Sequence, residues 1–429
     1  MVQYTGQELA VDVKRLGIKK AGVDMYDLLK RKMTGVESEL VDFASELIRM
    51  PSPSLEEQAV ARRVAERMTE LGFDRVETDA IGNVVGILLG RSSESTVMVN
   101  AHMDTAAVEA ESAWTRQPLS GVVENGTLHG VGASDCKGGL AAAIYAGALL
   151  KRSLLPLRGN VVVAATVAEE KGGSAGIRYL MEHTLPSLEL KPTHAILAEP
   201  TGLDLFRGHT GWAQFDVVVQ GISPFEVDDA VQAISRDLEL DPEATPGIEE
   251  SRIDRPRFDN VGGYRRGVIG VSRRLAVMDA GAMCGRIERT ATRAAHGAGN
   301  VNVAVQIPKT EQRFYTRQTR MTETRVEAWE VDAYHPAIER ARQVLAAAGR
   351  EPRVGKWTLP RLGMATAGGV LVRDFNIPAL GYGPGIEALC HAADESVPVQ
   401  NLLDAAYGLA ALCHGYVGIP VCGWTSDEI

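Results

Sequence analysis

Apolar and polar residues follow two periods in turn along this chain. From Val36 to Met50 the apolar positions recur at helical spacing, and Pro51 stops the pattern. Three compact apolar runs then read as strands: Ser95-Thr-Val-Met-Val-Asn-Ala101, Asn160-Val-Val-Val-Ala-Ala-Thr166 and Ala195-Ile-Leu-Ala198. Between the first two, Leu140-Ala-Ala-Ala-Ile-Tyr-Ala-Gly-Ala-Leu-Leu150 begins a helix. Strands and helices alternate in this way to about residue 205, which predicts an α/β sheet covered by helices. At Trp212-Ala-Gln-Phe-Asp-Val-Val-Val-Gln-Gly221 the period becomes 2, and a polar, Arg-rich stretch follows to about residue 325. A helix over Pro336–Ala348 then restores the earlier character. The expected architecture is an α/β domain with a central mixed sheet flanked by helices, built from residues 1–208 and 326–429. A smaller α+β domain, residues 209–325, is inserted in it. Residues 1–35 form an extension beyond what the core needs.

Length supports two domains, because 429 residues exceed one ordinary core. A net charge of −10 argues against nucleic acid or an anionic membrane as partner. No apolar run reaches the length of a membrane span, and the N-terminus lacks a basic segment followed by an apolar one. The five cysteines, at 136, 284, 390, 413 and 422, form no framework, and an odd count fits reduced thiols in a cytoplasmic protein.

The chemistry lies where the apolar runs end. His102 and Asp104 are two residues apart, so they share a face as the first strand opens into a loop. A carboxylate so placed can hold the second ring nitrogen of a metal-binding histidine. Asp135 lies in the loop His129-Gly-Val-Gly-Ala-Ser-Asp-Cys-Lys-Gly-Gly139. A dinucleotide fingerprint fails there, since its third glycine falls on Asp135, whose charge would repel a pyrophosphate. The second strand ends in Glu169-Glu170, and adjacent carboxylates are costly unless a cation or a shared proton relieves them. One could ligate a metal while its neighbour faces a water; spacing alone does not say which. A lone pair of this kind is ordinarily a solvated strand end. Glu199 ends the third strand, and His391 follows far downstream in Leu389-Cys-His-Ala-Ala-Asp-Glu-Ser396. Together these residues describe one rim outside the strand C-termini, where open α/β sheets place their ligands. Two histidines and several carboxylates suit two divalent ions held by nitrogen and oxygen. Cys136 and Cys390 adjoin the set, and small buried filler is their simplest reading.

In this order, His-x-Asp, Asp-x-Lys-Gly-Gly, Glu-Glu, Glu-Pro-Thr and a late His, the chain resembles the dinuclear metallohydrolases that include acetylornithine deacetylase, succinyl-diaminopimelate desuccinylase, aminoacylases and bacterial glutamate carboxypeptidase. The likeness covers roughly residues 36–210 and 330–415. It implies His102, Asp135, Glu170, Glu199 and His391 as ligands of two ions, with Asp135 bridging. It implies Asp104 as the orienter of His102, Glu169 as general base, and a cis Asp135–Cys136 peptide. Nitrogen and oxygen ligands suit manganese or zinc, with cobalt a further candidate. The inserted domain is implied as lid and homodimer interface.

The insert departs from the family pattern. Amide-cleaving members carry a lid histidine after the first lid strand, which stabilises an oxyanion. Here the matching Gln220-Gly-Ile-Ser-Pro-Phe-Glu-Val-Asp-Asp-Ala230 has none. Losing such a donor costs about 2.7–4 kcal/mol in other hydrolases. Either His209 or His296 substitutes, or the protein is a degraded relative, or charge develops away from a carbonyl oxygen. The last option predicts hydrolytic deamination of a small anionic aromatic such as 5-nitroanthranilate, whose ring and nitro group take the charge. A dipeptidase or N-acyl-amino-acid deacylase is the alternative. A non-catalytic metal-binding protein is the third reading, and a retained Glu169 argues against it. Arg289 is the candidate for a substrate carboxylate, matching an arginine at a lid strand end in relatives, with His209 and Arg286 as competitors.

Overall fold

The computed structural model describes residues 25–108, 111–240, 251–276, 279–358 and 364–419. Its central sheet has eight strands, in the order Arg75–Thr78, Val84–Leu88, Asn160–Thr166, Thr96–His102, His194–Leu197, Ala379–Gly381, Leu205–Phe206 and Val354–Gly355. Thr96–His102 runs parallel to both neighbours, pairing His102 with Thr166 and Asn100 with Leu197. Ala379–Gly381 is parallel to His194–Leu197 in turn, while Val84–Leu88 is antiparallel to Asn160–Thr166, so the sheet is mixed. The parallel register carries the ends of the central strands, and the residues just beyond them, to one edge.

Burial on both faces explains the unbroken apolar runs: every residue of Val84–Leu88, Thr96–His102 and Asn160–Thr166 is buried. The helix Lys137–Ser153 is buried along nearly its whole length, and its core merges with that of the helix Val399–Val417. The expected helices at 36–50 and 336–348 are present as Glu37–Arg49 and Pro336–Ala347. Of the N-terminal extension, residues 1–24 lie outside the described residues. The helix Met25–Thr34 buries Met25, Tyr26, Leu29 and Met33 in the main core.

A second core belongs to the insert. Strand Gly211–Gly221 alternates buried and half-buried positions along its full length, as its period-2 pattern requires. It pairs with Tyr264–Leu275 and Val301–Gln306, and helices Pro224–Glu239 and Ala280–Ala295 close over Phe215, Val217, Val219, Ile269 and Val271. The hairpin of Lys309–Arg313 and Thr319–Glu323 turns back onto the larger domain. There Phe314 joins the main core, and the Tyr315 hydroxyl donates to the Gly82 carbonyl at 3.0 Å.

Candidate metal centre

His102 ends its strand buried, and its ring orientation is set by its own turn. Nδ1 lies 2.9 Å from the Asp104 carbonyl oxygen, leaving Nε2 to face Asp135 Oδ1 at 3.0 Å and Glu199 Oε2 at 3.9 Å. The Asp104 carboxylate is more distant from Nδ1, at 3.5 Å, and has other partners. It accepts the backbone N–H groups of Glu169 (3.1 Å) and Glu170 (3.0 Å) and the Ser54 hydroxyl (2.7 Å). Asp104 therefore orients His102 mainly through its main chain, and its side chain fixes the Glu169-Glu170 turn.

Asp135 sits between the two histidines: its Oδ2 is 3.5 Å from His391 Nε2, and Glu170 approaches the same nitrogen at 2.9 Å. The Asp135–Cys136 peptide is cis, as the resemblance implied. Ala168 and His391 hold left-handed backbone, with φ of 54° and 53°, next to and at residues that deliver site side chains. Such conformations cost about 1–3 kcal/mol and cluster at functional sites. Close packing accounts for Gly139, where a Cβ would lie 1.8 Å from the Ala198 carbonyl oxygen, just before Glu199.

Ligand atoms of His102, Asp135 and Glu170 lie within 4.8 Å of one another. Glu199 Oε1 is buried with no hydrogen-bond partner among the described residues. Burial pushes Glu199 up to about 8, with the Asp135 and Glu170 charges adding to the effect. Burial opposes a charged His391, yet Asp135 and Glu170 raise it to about 11. His102 is likewise held well above its ordinary value against burial, by the negative groups around it. Glu169 is raised by burial and by the neighbouring carboxylates of Glu170, Glu199 and Asp104, against the pull of His102. Carboxylates crowded against two imidazoles, with one oxygen unpaired, fit divalent cations bound by nitrogen and oxygen. Cys136 and Cys390 are buried thiols 3.6 and 3.5 Å from the carbonyls of Ala198 and Ile386, and burial raises both. High thiol pKa values disfavour a nucleophilic role.

Sequence reasoning missed Glu395. Its buried carboxylate accepts the N–H groups of Gly132 (2.9 Å), Ser134 (2.8 Å) and Asp135 (2.8 Å), and so shapes the loop that presents Asp135. It also missed Glu57, which accepts from Leu55 and Ala168, both at 2.9 Å, behind the Glu169 turn. Both residues lie in segments rich in carboxylates, and Glu395 is four residues past His391.

The lid candidates separate. Arg289 is not at a strand end. It lies on the exposed face of helix Ala280–Ala295, because Met283, Ile287 and Ala291 take the face toward the lid core. Arg286 shares that helix, and His296 caps its C-terminus, exposed. Two buried arginines, Arg273 and Arg274, lie at the end of a lid strand, and the guanidinium of Arg274 donates to the Met364 carbonyl. His209 is at the junction of the two domains, in the bridge Gly208–His209 that pairs with Trp329–Glu330. It is buried, its Nδ1 lacks a partner among the described residues, and it lines a cavity of about 690 Å³ with Trp329, Trp357 and Lys356. Burial first, and the Arg274 charge second, push His209 down to about 3, while Asp135 pulls the other way. The imidazole is neutral at physiological pH and within electrostatic reach of the metal centre.

This fold and site define a metal-dependent hydrolase of C–N bonds. The model of Peptidase family M20/M25/M40 matches residues 98–414, and the chain belongs to that family. It is 27% identical over 414 residues to the uncharacterized protein YgeY of Escherichia coli (strain K12), covering 90% of this chain and 96% of the relative. Its structure is similar to that of the dipeptidase Dug1p from Saccharomyces cerevisiae (TM-score 0.66, 12% identity, 91% of this chain and 98% of the other). It is also similar to the Bacillus subtilis protein YXEP, a dinuclear metal-binding peptidase of the M20 family (TM-score 0.62, 15% identity, 89% and 98%). No helix among the described residues is long and apolar enough to cross a membrane.

Proposed function

We propose that this protein hydrolyses the amide C–N bond of a small carboxylate-bearing substrate, a dipeptide or an N-acyl-amino acid. His102, Asp135 and Glu199 would hold one divalent ion, and Asp135, Glu170 and His391 the other. When bound, the ions supply Lewis acidity and lower the pKa of water at the site. Glu169, raised in pKa and fixed by Asp104, takes the proton of the attacking water and hands it to the leaving nitrogen. The observation that carries the reading is His209. A buried, neutral imidazole at the domain junction can donate the hydrogen bond that the missing lid histidine would supply to the oxyanion. Arg274 helps keep it neutral. The dipeptidase Dug1p among the structural relatives is consistent with this class.

A second reading is hydrolytic deamination of 5-nitroanthranilate, with ammonia released. The lid stretch Gln220–Ala230 holds no histidine, and a ring that carries the developing charge would need none. Metal-reconstituted protein offered dipeptides, N-acyl-amino acids and aminobenzoates side by side separates the two. Amide cleavage without ammonia from 5-nitroanthranilate supports the first, and the converse overturns it. A homodimer through the lid is part of this proposal; strand Val301–Gln306 forms an edge of the lid sheet that a second copy can extend. A cytoplasmic setting is part of it too, on the odd cysteine count.

A further inference from the structure

A second cavity of about 330 Å³ opens beside His391 on the segment that follows Asp104. Val108, Trp114, Val131, Ala392 and Ala393 line it together with His391. Among the described residues the one carboxylate in its lining is that of Glu395, which is buried and already occupied by three backbone N–H groups. Among the described residues the cavity thus offers aliphatic surface and an indole, with His391 at its metal-centre end. Its walls are held together. Asp394 Oδ1 accepts the N–H groups of Thr115 (2.9 Å) and Arg116 (3.4 Å), tying the Trp114 segment to the His391 loop. The Trp114 backbone N–H donates to the Glu111 carbonyl at 3.0 Å, closing a turn. Each residue of His391-Ala-Ala-Asp-Glu395 has a separate place. His391 reaches the metal centre, Ala392 and Ala393 leave space, Asp394 anchors the Trp114 wall, and Glu395 anchors the Asp135 loop. A volume of this size lies at the low end of small-molecule sites, suited to one side chain or ring and not to a long peptide.

We infer that this cavity is a specificity pocket for an aromatic or branched aliphatic group of the substrate, next to the bond cleaved at the metal centre. The inference rests on the proposed amide hydrolysis, because it names the kind of substrate which that reaction takes. The apolar side chains among the described walls favour an apolar group over a charged one, which would lose its hydration against them.

Calorimetric titration of the manganese-loaded protein with L-phenylalanine, L-leucine, L-glutamate and glycine tests it without turnover. Phenylalanine and leucine are expected to bind at least about tenfold tighter than glycine or glutamate, the discrimination an apolar pocket gives per added group. In Ala393→Trp, which fills the pocket from an exposed position, the phenylalanine-to-glycine ratio is expected to fall to about one. Ala107→Trp, from the exposed opposite segment, gives the same readout should Ala393→Trp fail to fold. Equal binding of phenylalanine and glycine by the unaltered protein, tighter binding of glutamate, or a ratio that survives both substitutions overturns the pocket. Selective binding without hydrolysis of any dipeptide or acyl-amino acid would leave the pocket standing and reject the proposed reaction instead.

Discussion

The Glu395 carboxylate accepts the backbone N–H of Asp135 at 2.8 Å, across 260 positions of sequence. It accepts those of Ser134 and Gly132 as well, so the shape of the Asp135 loop is written around a buried charge. Burial and the Asp135 charge push Glu395 up to about 8, and the three N–H groups counter that rise. Glu395→Gln replaces one acceptor oxygen with a donor that faces N–H groups. Metal affinity is expected to fall about 10–100-fold, the usual cost of losing a group that positions a ligand. Competition with a chromophoric chelator measures this, and an affinity within twofold of the unaltered protein would show that the loop holds its shape unaided.

On the proposed roles, the Glu169-Glu170 pair would divide base from ligand through one neighbour, since Asp104 accepts both backbone N–H groups and leaves both side chains to the site. Glu170 faces His391, and Glu169 carries the stronger rise in pKa. Glu169→Gln is expected to keep the metals and lower kcat by about 10²–10⁴-fold. Glu170→Gln is expected to lose metal. Metal content and steady-state rates on both variants decide; loss of metal from Glu169→Gln with retention in Glu170→Gln reverses the roles.

Part of this candidate centre was legible because His102, the Glu169-Glu170 pair and Glu199 follow apolar runs and parallel register gathers strand ends on one edge, whereas Asp135 and His391 lie in loops. His102 beside Thr166, and Asn100 beside Leu197, carry that logic directly. The groups that hold the donors in place were less legible. Glu395 acts on backbone N–H groups, which any sequence supplies, so no residue pattern marks its partners. Which atom of Asp104 meets the imidazole depends on the turn between them. Arg274 was hidden in the Arg-rich strand Tyr264–Leu275, whose C-terminal positions are buried in succession and so lose the alternation that marks faces. Arg289 was misplaced because its segment is a helix capped by Asp279, whose side chain accepts the Ala282 N–H. The hairpin at 309–323 was placed with the lid for its polarity, yet Phe314 and Tyr315 tie its tip to the larger domain.

The division of labour between lid residues follows from burial. His209→Phe keeps the volume and ring contact with Trp357 but removes the donor. It is expected to lower kcat about 10²–10³-fold with the metals retained, the loss seen when one oxyanion donor is removed. Arg289→Ala, on the exposed face of its helix, is expected to change stability by less than about 0.5 kcal/mol. Its KM is expected to stay within twofold. A rise in KM confined to Arg289→Ala, with His209→Phe fully active, would move the substrate contact back to Arg289 and leave the oxyanion without its proposed donor.

Acid sensitivity has a source away from the metals. His414 is fully buried on helix Val399–Val417, and burial pushes it down to about 4; hydrogen bonding to Pro156 opposes the shift and the Arg340 charge adds to it. Its unfolded value is near 6.5. Between about pH 6.5 and 4 the unfolded chain therefore takes up this proton and the folded chain does not, so stability falls as pH drops through that window and the loss levels off below it. The full loss is on the order of 3 kcal/mol from this group. His414→Gln removes the titration. In urea denaturation of metal-free protein, the unaltered chain is expected to lose more stability than His414→Gln between about pH 6.5 and pH 4.5, because every other group titrates in both. Parallel losses in the two proteins would mean that His414 gains its proton in the folded state at little cost.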